Sequence, residues 1–208
     1  MENKSNFFLK INSSREYWEQ RYSMGGTSGA GSYDKLAEFK AEVINSFTKN
    51  YQINSLIEFG CGDGNQLSVF DFPSYIGLDV SRTAIKLCIE RFKYDKSKSF
   101  FLYDSICYKD NHAIFKADLA ISLDVLYHLV EDNIFELYMN HLFESAERYV
   151  IIYASNFNSK QTNHIKHRQF SIWIDNNLSN WKLIDIIKNK YPNESLADFF
   201  IYQNIEND

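Results

Sequence analysis

Apolar and polar positions change period several times along this chain, from three or four residues to short continuous runs and back. DKLAEFKAEVINSFTKN (34–50) repeats Leu36, Phe39, Val43 and Phe47 at the spacing of one helical face, with Ser32 ahead of it as an N-cap. NSLIEF (54–59) and YIGLD (75–79) are short apolar runs that predict buried strands. Ser81 then caps SRTAIKLCIERFK, whose Ile85, Cys88, Ile89 and Phe92 share a helical face. SFFLY (99–103) and DLAISL (118–123) predict two more strands. EDNIFELYMNHLFESA places Ile134, Leu137, Tyr138 and Leu142 on one helical face, and RYVIIYA (148–154) has the β-branched and aromatic content of a strand. WKLIDIIKN (181–189) and FFIYQN (199–204) predict two final strands, and the residues between them are too few for a parallel crossover helix, so the last strand runs antiparallel. Strand and helix alternate, which predicts an α/β fold with an open, mainly parallel sheet and helices on both faces. With no internal repeat and no linker, residues 1–208 read as a single domain.

Composition narrows the function. With 208 residues, 45% hydrophobic and 24% charged, the chain is long and apolar enough to build its own core. A formal charge of −5 and a pI near 5.6 speak against a phosphate-tracking surface, so no nucleic-acid partner is expected. No apolar run reaches the roughly 18 residues of a membrane span, and MENKSNFFLKINSS lacks the apolar core of a signal peptide; the expectation is a cytoplasmic protein with no membrane partner. Cys61, Cys88 and Cys107 follow no C-x-x-C spacing and read as reduced thiols, and no metal-ligand spacing stands out. Richness in Asn, Lys, Ile, Phe and Tyr points to an AT-rich bacterial genome.

The eight glycines fall mainly in two clusters, Gly25 to Gly31 and Gly60 to Gly64, with Gly77 alone beyond them. Such clusters let backbone N–H groups approach a ligand closely. Glu58-Phe59-Gly60-Cys61-Gly62-Asp63-Gly64 closes the first strand and leads towards an expected helix, and Asp79, at the end of the second strand, stands where an acid can accept both ribose hydroxyls. The spacing is G-x-G-x-G, whereas the dinucleotide fingerprint is G-x-G-x-x-G, and the acid ahead of it would repel a pyrophosphate but not a sulfonium or an ammonium.

Here the sequence resembles the class I methyltransferases that use S-adenosylmethionine (SAM), whose first motif is acid-x-G-x-G-x-G. YIGLDVS is similar to the family's second-strand segment, Tyr103-Asp104-Ser105-Ile106 to the third-strand end that meets the adenine amino group, and DLAISLDVLYHL to the fourth-strand motif of the small-molecule branch. The resemblance implies a Rossmann-like, seven-stranded sheet and SAM as cofactor, with S-adenosylhomocysteine (SAH) as product. It implies cofactor contacts from Glu58, Gly60, Cys61, Gly62, Asp79, Val80, Asp104, Ser105 and Leu123. Tyr17-Trp18-Glu19-Gln20-Arg21-Tyr22 resembles a segment that folds over the methionyl end, which adds Trp18 and Arg21 and makes residues 1–50 an N-terminal cap and helix. The G-G-x-S-G-x-G-S run resembles a loop of small bacterial methyltransferases, some associated with surface-carbohydrate assembly.

Residues 155–178 follow the fifth strand, where an acceptor enters an open α/β sheet, and are expected to form an acceptor lid. Tyr127, His164 and Arg168 are the candidate acceptor-binding residues; His128 and His167 are the candidate bases, with Asp124 or Tyr127 as other proton acceptors. The expected reaction is methylation of a hydroxyl on a small sugar, nucleotide-linked or phosphorylated metabolite, and a His and Arg pair suits an acceptor that bears phosphate or another anionic group. The alternatives are a nitrogen or carboxylate acceptor, an NAD-binding oxidoreductase, or a binding protein that keeps the cofactor fold. DNA-base methylation is disfavoured, because Ser122-Leu123-Asp124-Val125 stands where that branch carries N/D-P-P-Y/F.

Overall fold

The structure is a computed structural model that describes residues 13–160, 162 and 164–206; residues 1–12 of the expected cap and 161 and 163 of the expected lid lie outside the described residues. In chain order the elements are α1 (Ser14–Ser23), α2 (Asp34–Asn50), β1 (Leu56–Phe59), β2 (Tyr75–Asp79), α3 (Arg82–Arg91), β3 (Lys98–Leu102), β4 (Ala117–Leu123), α4 (Asp132–Glu144), β5 (Ala146–Ala154), α5 (Phe170–Asn177), β6 (Trp181–Ile187) and β7 (Asp198–Asn204). The seven strands form one sheet in the order β3-β2-β1-β4-β5-β7-β6. Pairing is parallel from β3 to β5, while β7 runs antiparallel to both β5 and β6, as the short final connection requires.

Side-chain alternation along the strands sorts the core into two layers. Leu56, Leu119, Ile121, Ile151, Tyr153 and Phe199 pack with Phe39, Ile44 and Phe47 of α2 and Ile85 and Cys88 of α3. Ile57, Phe59, Ala120, Val150, Ile152 and Phe200 pack with Phe135, Met139 and Leu142 of α4 and Phe170 and Ile174 of α5. By the same alternation Glu58 lies on the side of Leu56, under α2. The register Glu58 to Gly77 on β2 and to Ile121 on β4 sets it in the middle of the sheet at the carboxyl edge.

Three expectations are corrected. The helix expected after the glycine loop is a single 3-10 turn, Gln66–Val69. Leu67, Phe70 and Phe72 are all buried there, a spacing no helical face supplies, and Pro73 follows at once, so the chain crosses to β2 as an apolar staple. Ser32 does not cap α2; the cap position is Tyr33, which makes no side-chain capping bond, and Ser32 ends a short 3-10 turn. Ile89 of α3 is exposed, whereas Ser81 does cap that helix, its Oγ accepting from the Ala84 N–H at 3.1 Å.

Candidate functional site

The two glycine loops interlock over the carboxyl edge of the sheet. Ser28 donates its N–H to Asp63 Oδ2 at 3.0 Å and accepts the Asp63 N–H on its Oγ at 3.0 Å, and Tyr33 adds its hydroxyl to the same Oδ2 at 2.8 Å. Tyr22 Oη meets Ser28 Oγ at 2.9 Å. This closeness needs glycine at 62: its φ is +58°, and a Cβ there would stand 2.3 Å from Ser28 Oγ. The Gly62 N–H also donates to Asp79 Oδ2 at 2.9 Å, and the Ser81 N–H to Asp79 Oδ1 at 2.8 Å, so the acid after β2 is fixed against the loop after β1.

α1 roofs the site. Glu19 accepts from Ser81 Oγ at 2.6 Å and from Thr83 Oγ1 at 2.7 Å, at the start of α3. Arg15 pairs with Asp104 at 2.5 Å beyond β3, and Ser14 donates its N–H and its hydroxyl to Glu131 ahead of α4, both at 2.9 Å. One short helix thereby bridges three connections along the same edge and closes a cavity beneath it.

Of the residues expected to bind the cofactor, Trp18, Glu58, Gly60, Cys61, Gly62, Asp79, Val80, Asp104, Ser105 and Leu123 all line that cavity. Arg21 is outside the lining; its Nε donates to Thr27 O at 2.6 Å and its guanidinium lies 5.7 Å from the Trp18 ring. Burial pushes the Glu58 carboxyl up to about 7, against the opposing pull of the Tyr75 hydroxyl at 2.5 Å and of Lys40. Burial likewise pushes Asp79 up to about 6, opposed by its two backbone N–H donors. The adjoining Cys88 thiol and burial hold the Cys61 thiol well above its usual range, so it is an inert lining group and not a nucleophile. Among the described residues no group of three His, Cys, Asp or Glu side chains is placed to hold a metal ion.

The acceptor-side candidates separate. His128 lines the cavity, its Nδ1 donating to His164 O at 3.1 Å, which leaves Nε2 as the ring's acceptor. Its ring lies 4.9 Å from Trp18 and 4.6 Å from Tyr127, and burial pushes it down to about 4. His167 is outside the lining, bonded to Ser155 Oγ at 2.5 Å and stacked on Phe157. His164 stacks on Tyr17 of α1 at 4.6 Å, which ties the 155–178 segment to the roof. Tyr127 is outside the lining, donating its hydroxyl to Asp124 Oδ1 at 2.8 Å. Arg168 is taken up by the protein: its guanidinium donates to Leu129 O, Val130 O and Asp132 and lies over Phe135. It clamps the segment to the start of α4, and in place of the expected acceptor anion each guanidinium nitrogen meets a partner within the protein.

No protein-family model matches this sequence, and no curated protein does. Solved structures match in fold. The methyltransferase domain of a bacterial Hen1, CtHen1-C, is 21% identical with a TM-score of 0.64, over 79% of this chain and 96% of that one. The N-methyltransferase NodS from Bradyrhizobium japonicum WM9, solved with SAH, is 13% identical with a TM-score of 0.71, over 93% of this chain and 99% of that one. The small RNA methyltransferase HEN1 is 18% identical with a TM-score of 0.60, over 83% of this chain and 26% of that one. This is the Rossmann-like methyltransferase fold. The strand order, with an antiparallel β7 between β5 and β6, is the feature of it that the sequence motifs left to the final connection.

Among the lining residues that sequence reasoning missed are the two buried polar side chains Lys40 and Gln66. Lys40 is fully buried on α2, with Nζ 2.7 Å from Asp124 Oδ2. Its signal was present: position 40 follows Leu36 by four, so a lysine falls on the apolar face of the helix. Asp124 gives a second sign, a non-glycine residue at φ +60° just past β4, and Gly31 packs so close that a Cβ would stand 2.7 Å from its Oδ2.

Proposed function

We propose that this protein is a SAM-dependent methyltransferase acting on a hydroxyl of a small, neutral polar molecule such as a sugar. The observation that carries the reading is the single cavity in which Glu58, Gly60, Gly62, Asp79 and Asp104 meet at the carboxyl edge of the sheet. The lining charges fit the cofactor. Among the described residues the acids lining the cavity, Glu58, Asp79, Asp104, Asp124 and Glu131, outnumber the cations Lys40 and Arg15, which favours a ligand bearing ammonium and sulfonium charges and disfavours a pyrophosphate. That charge balance also separates the reading from an NAD-binding oxidoreductase and favours a neutral acceptor over a phosphorylated one or a nucleic acid.

SAM, when bound, supplies a methyl group made electrophilic by its positively charged sulfur. Asp79, held by two backbone N–H groups, keeps free lone pairs for the ribose hydroxyls. Gly60 and Gly62 leave the space a side chain would fill, and Trp18 and α1 exclude water from above. His128 presents Nε2 as a neutral acceptor for the hydroxyl proton of the incoming molecule, and residues 155–178 act as the lid through which that molecule enters. Because burial keeps this imidazole neutral down to about pH 4, its first duty is to orient the hydroxyl.

Calorimetric titration of the full chain with SAM and, separately, with NAD tests the reading. SAM binds and NAD does not, and Asp79→Ala weakens SAM binding about 10- to 100-fold with the fold retained. Unchanged SAM affinity in that variant contradicts the site, and NAD binding in preference to SAM contradicts the function.

A further inference from the structure

Lys40 and Gln66 belong to no glycine motif, yet both face the cavity with polar capacity that the protein leaves unmet. The Lys40 ammonium carries three N–H donors and is fully buried. One donor meets Asp124 Oδ2 at 2.7 Å, the Tyr153 ring face lies 5.3 Å away, and among the described residues no other acceptor is bonded to it. Gln66 is 5% exposed; its Nε2 donates to Ala37 O at 3.0 Å, and its Oε1 has no partner. Ala37 is three residues before Lys40 on α2, so Gln66 is tied to the helix that carries Lys40, and both side chains line the same cavity. Glu58 lines the same cavity within reach of the Lys40 charge, its Oε2 accepting from the Tyr75 hydroxyl.

Buried polar groups are nearly always bonded, so an unmet cation and an unmet acceptor lining one cavity call for a ligand. That ligand must offer an anion and a donor a short distance apart, which is the chemistry of an α-amino-acid head. We propose that Lys40 takes the α-carboxylate, and Gln66 with Glu58 takes the α-ammonium, of the methionyl head of the cofactor. This rests on the SAM reading above and assigns the recognition of that head to α2 and the 3-10 turn, outside the glycine loop. Asp124 is the counter-ion that holds Lys40 at the cavity wall, and the missing Cβ of Gly31 is what leaves room for its carboxylate.

The test compares three probes by titration calorimetry on the full chain: SAH, its decarboxylated analogue, and methylthioadenosine, which lacks the amino-acid head. The wild type binds SAH about 10- to 100-fold tighter than the decarboxylated analogue. In Lys40→Met that preference falls to within about threefold, while methylthioadenosine affinity stays within about twofold of wild type. Because Lys40→Met leaves Asp124 without its counter-charge, the double variant K40M/D124N is measured alongside and shows the same loss of preference. Gln66→Leu weakens SAH and the decarboxylated analogue alike, since both keep the ammonium. A wild type that does not distinguish SAH from the decarboxylated analogue, or a preference retained in both Lys40 variants, overturns the assignment while leaving the SAM reading standing. Failure of all three probes to bind the wild type overturns both.

Discussion

At the scale of single residues, the site depends on carboxyl groups buried where charge is costly. Glu58 is fully enclosed, and burial raises it from the ordinary carboxylate range to about 7. An acid raised on folding holds its proton more tightly in the native state than in the unfolded chain. Its contribution to stability is therefore fully present below about pH 4.5 and lost as the pH rises through about 7. For Glu58 that swing is on the order of 3 kcal/mol. The lowered histidines, His128 above all, oppose Glu58 over part of this range, so the quantity to measure is a difference. In thermal melts of the ligand-free protein between pH 5 and pH 8, the stability of the wild type relative to Glu58→Gln should fall as the pH rises. Cofactor binding runs the other way, because an ammonium prefers the ionised acid, so SAM affinity rises over the same interval. A melt profile identical in the wild type and in Glu58→Gln would show that Glu58 does not carry this proton.

Among the elements, α1 is the most exposed to a single change, because polar contacts and not a broad apolar face hold it in place. Tyr22 is its one buried residue, and its links are Glu19 to α3, Arg15 to Asp104 and Ser14 to Glu131. Glu19 accepts three of these bonds, from Ser81 Oγ, Thr83 Oγ1 and the Thr83 N–H. Glu19→Ala is expected to raise the hydrogen-exchange rate of α1 by about tenfold or more while the strands keep their protection. Equal protection of α1 in both proteins would mean that the aromatic contacts of Tyr17 with His164 and of Trp18 with His128 suffice. Elements of this kind are hard to read from sequence. The strands and the long helices were legible because apolar periodicity sets them, and the loop Gly60 to Gly64 because glycine and acid spacing sets it. The turn at Gln66–Val69 was not, since Leu67, Phe70 and Phe72 bury themselves from an irregular path. The destination of Arg168 was not legible either: a cation beside histidines looks the same in sequence whether it meets a substrate or the carbonyls of Leu129 and Val130.

For the molecule as a whole, the fold sets where a ligand meets the sheet. The sheet gathers the ends of β1, β2 and β4 into one acidic cavity under α1, and His128 lines it, its ring beside Trp18 of α1 and its Nδ1 bonded to the carbonyl of His164, which stacks on Tyr17 of α1. Among the described residues no helix is long and apolar enough to cross a membrane. The central claim is transfer of a methyl group to a small molecule, and it is tested most directly by incubating the full chain with methyl-labelled SAM and a protein-free, nucleic-acid-free metabolite extract. The account predicts that SAH forms in step with label entering a neutral, hydroxyl-bearing metabolite, and that His128→Asn slows this about 10²- to 10⁴-fold with SAM affinity preserved, while His167→Asn stays near the wild-type rate. SAM that binds but yields neither SAH nor labelled metabolite would contradict it and make the protein a cofactor-binding module.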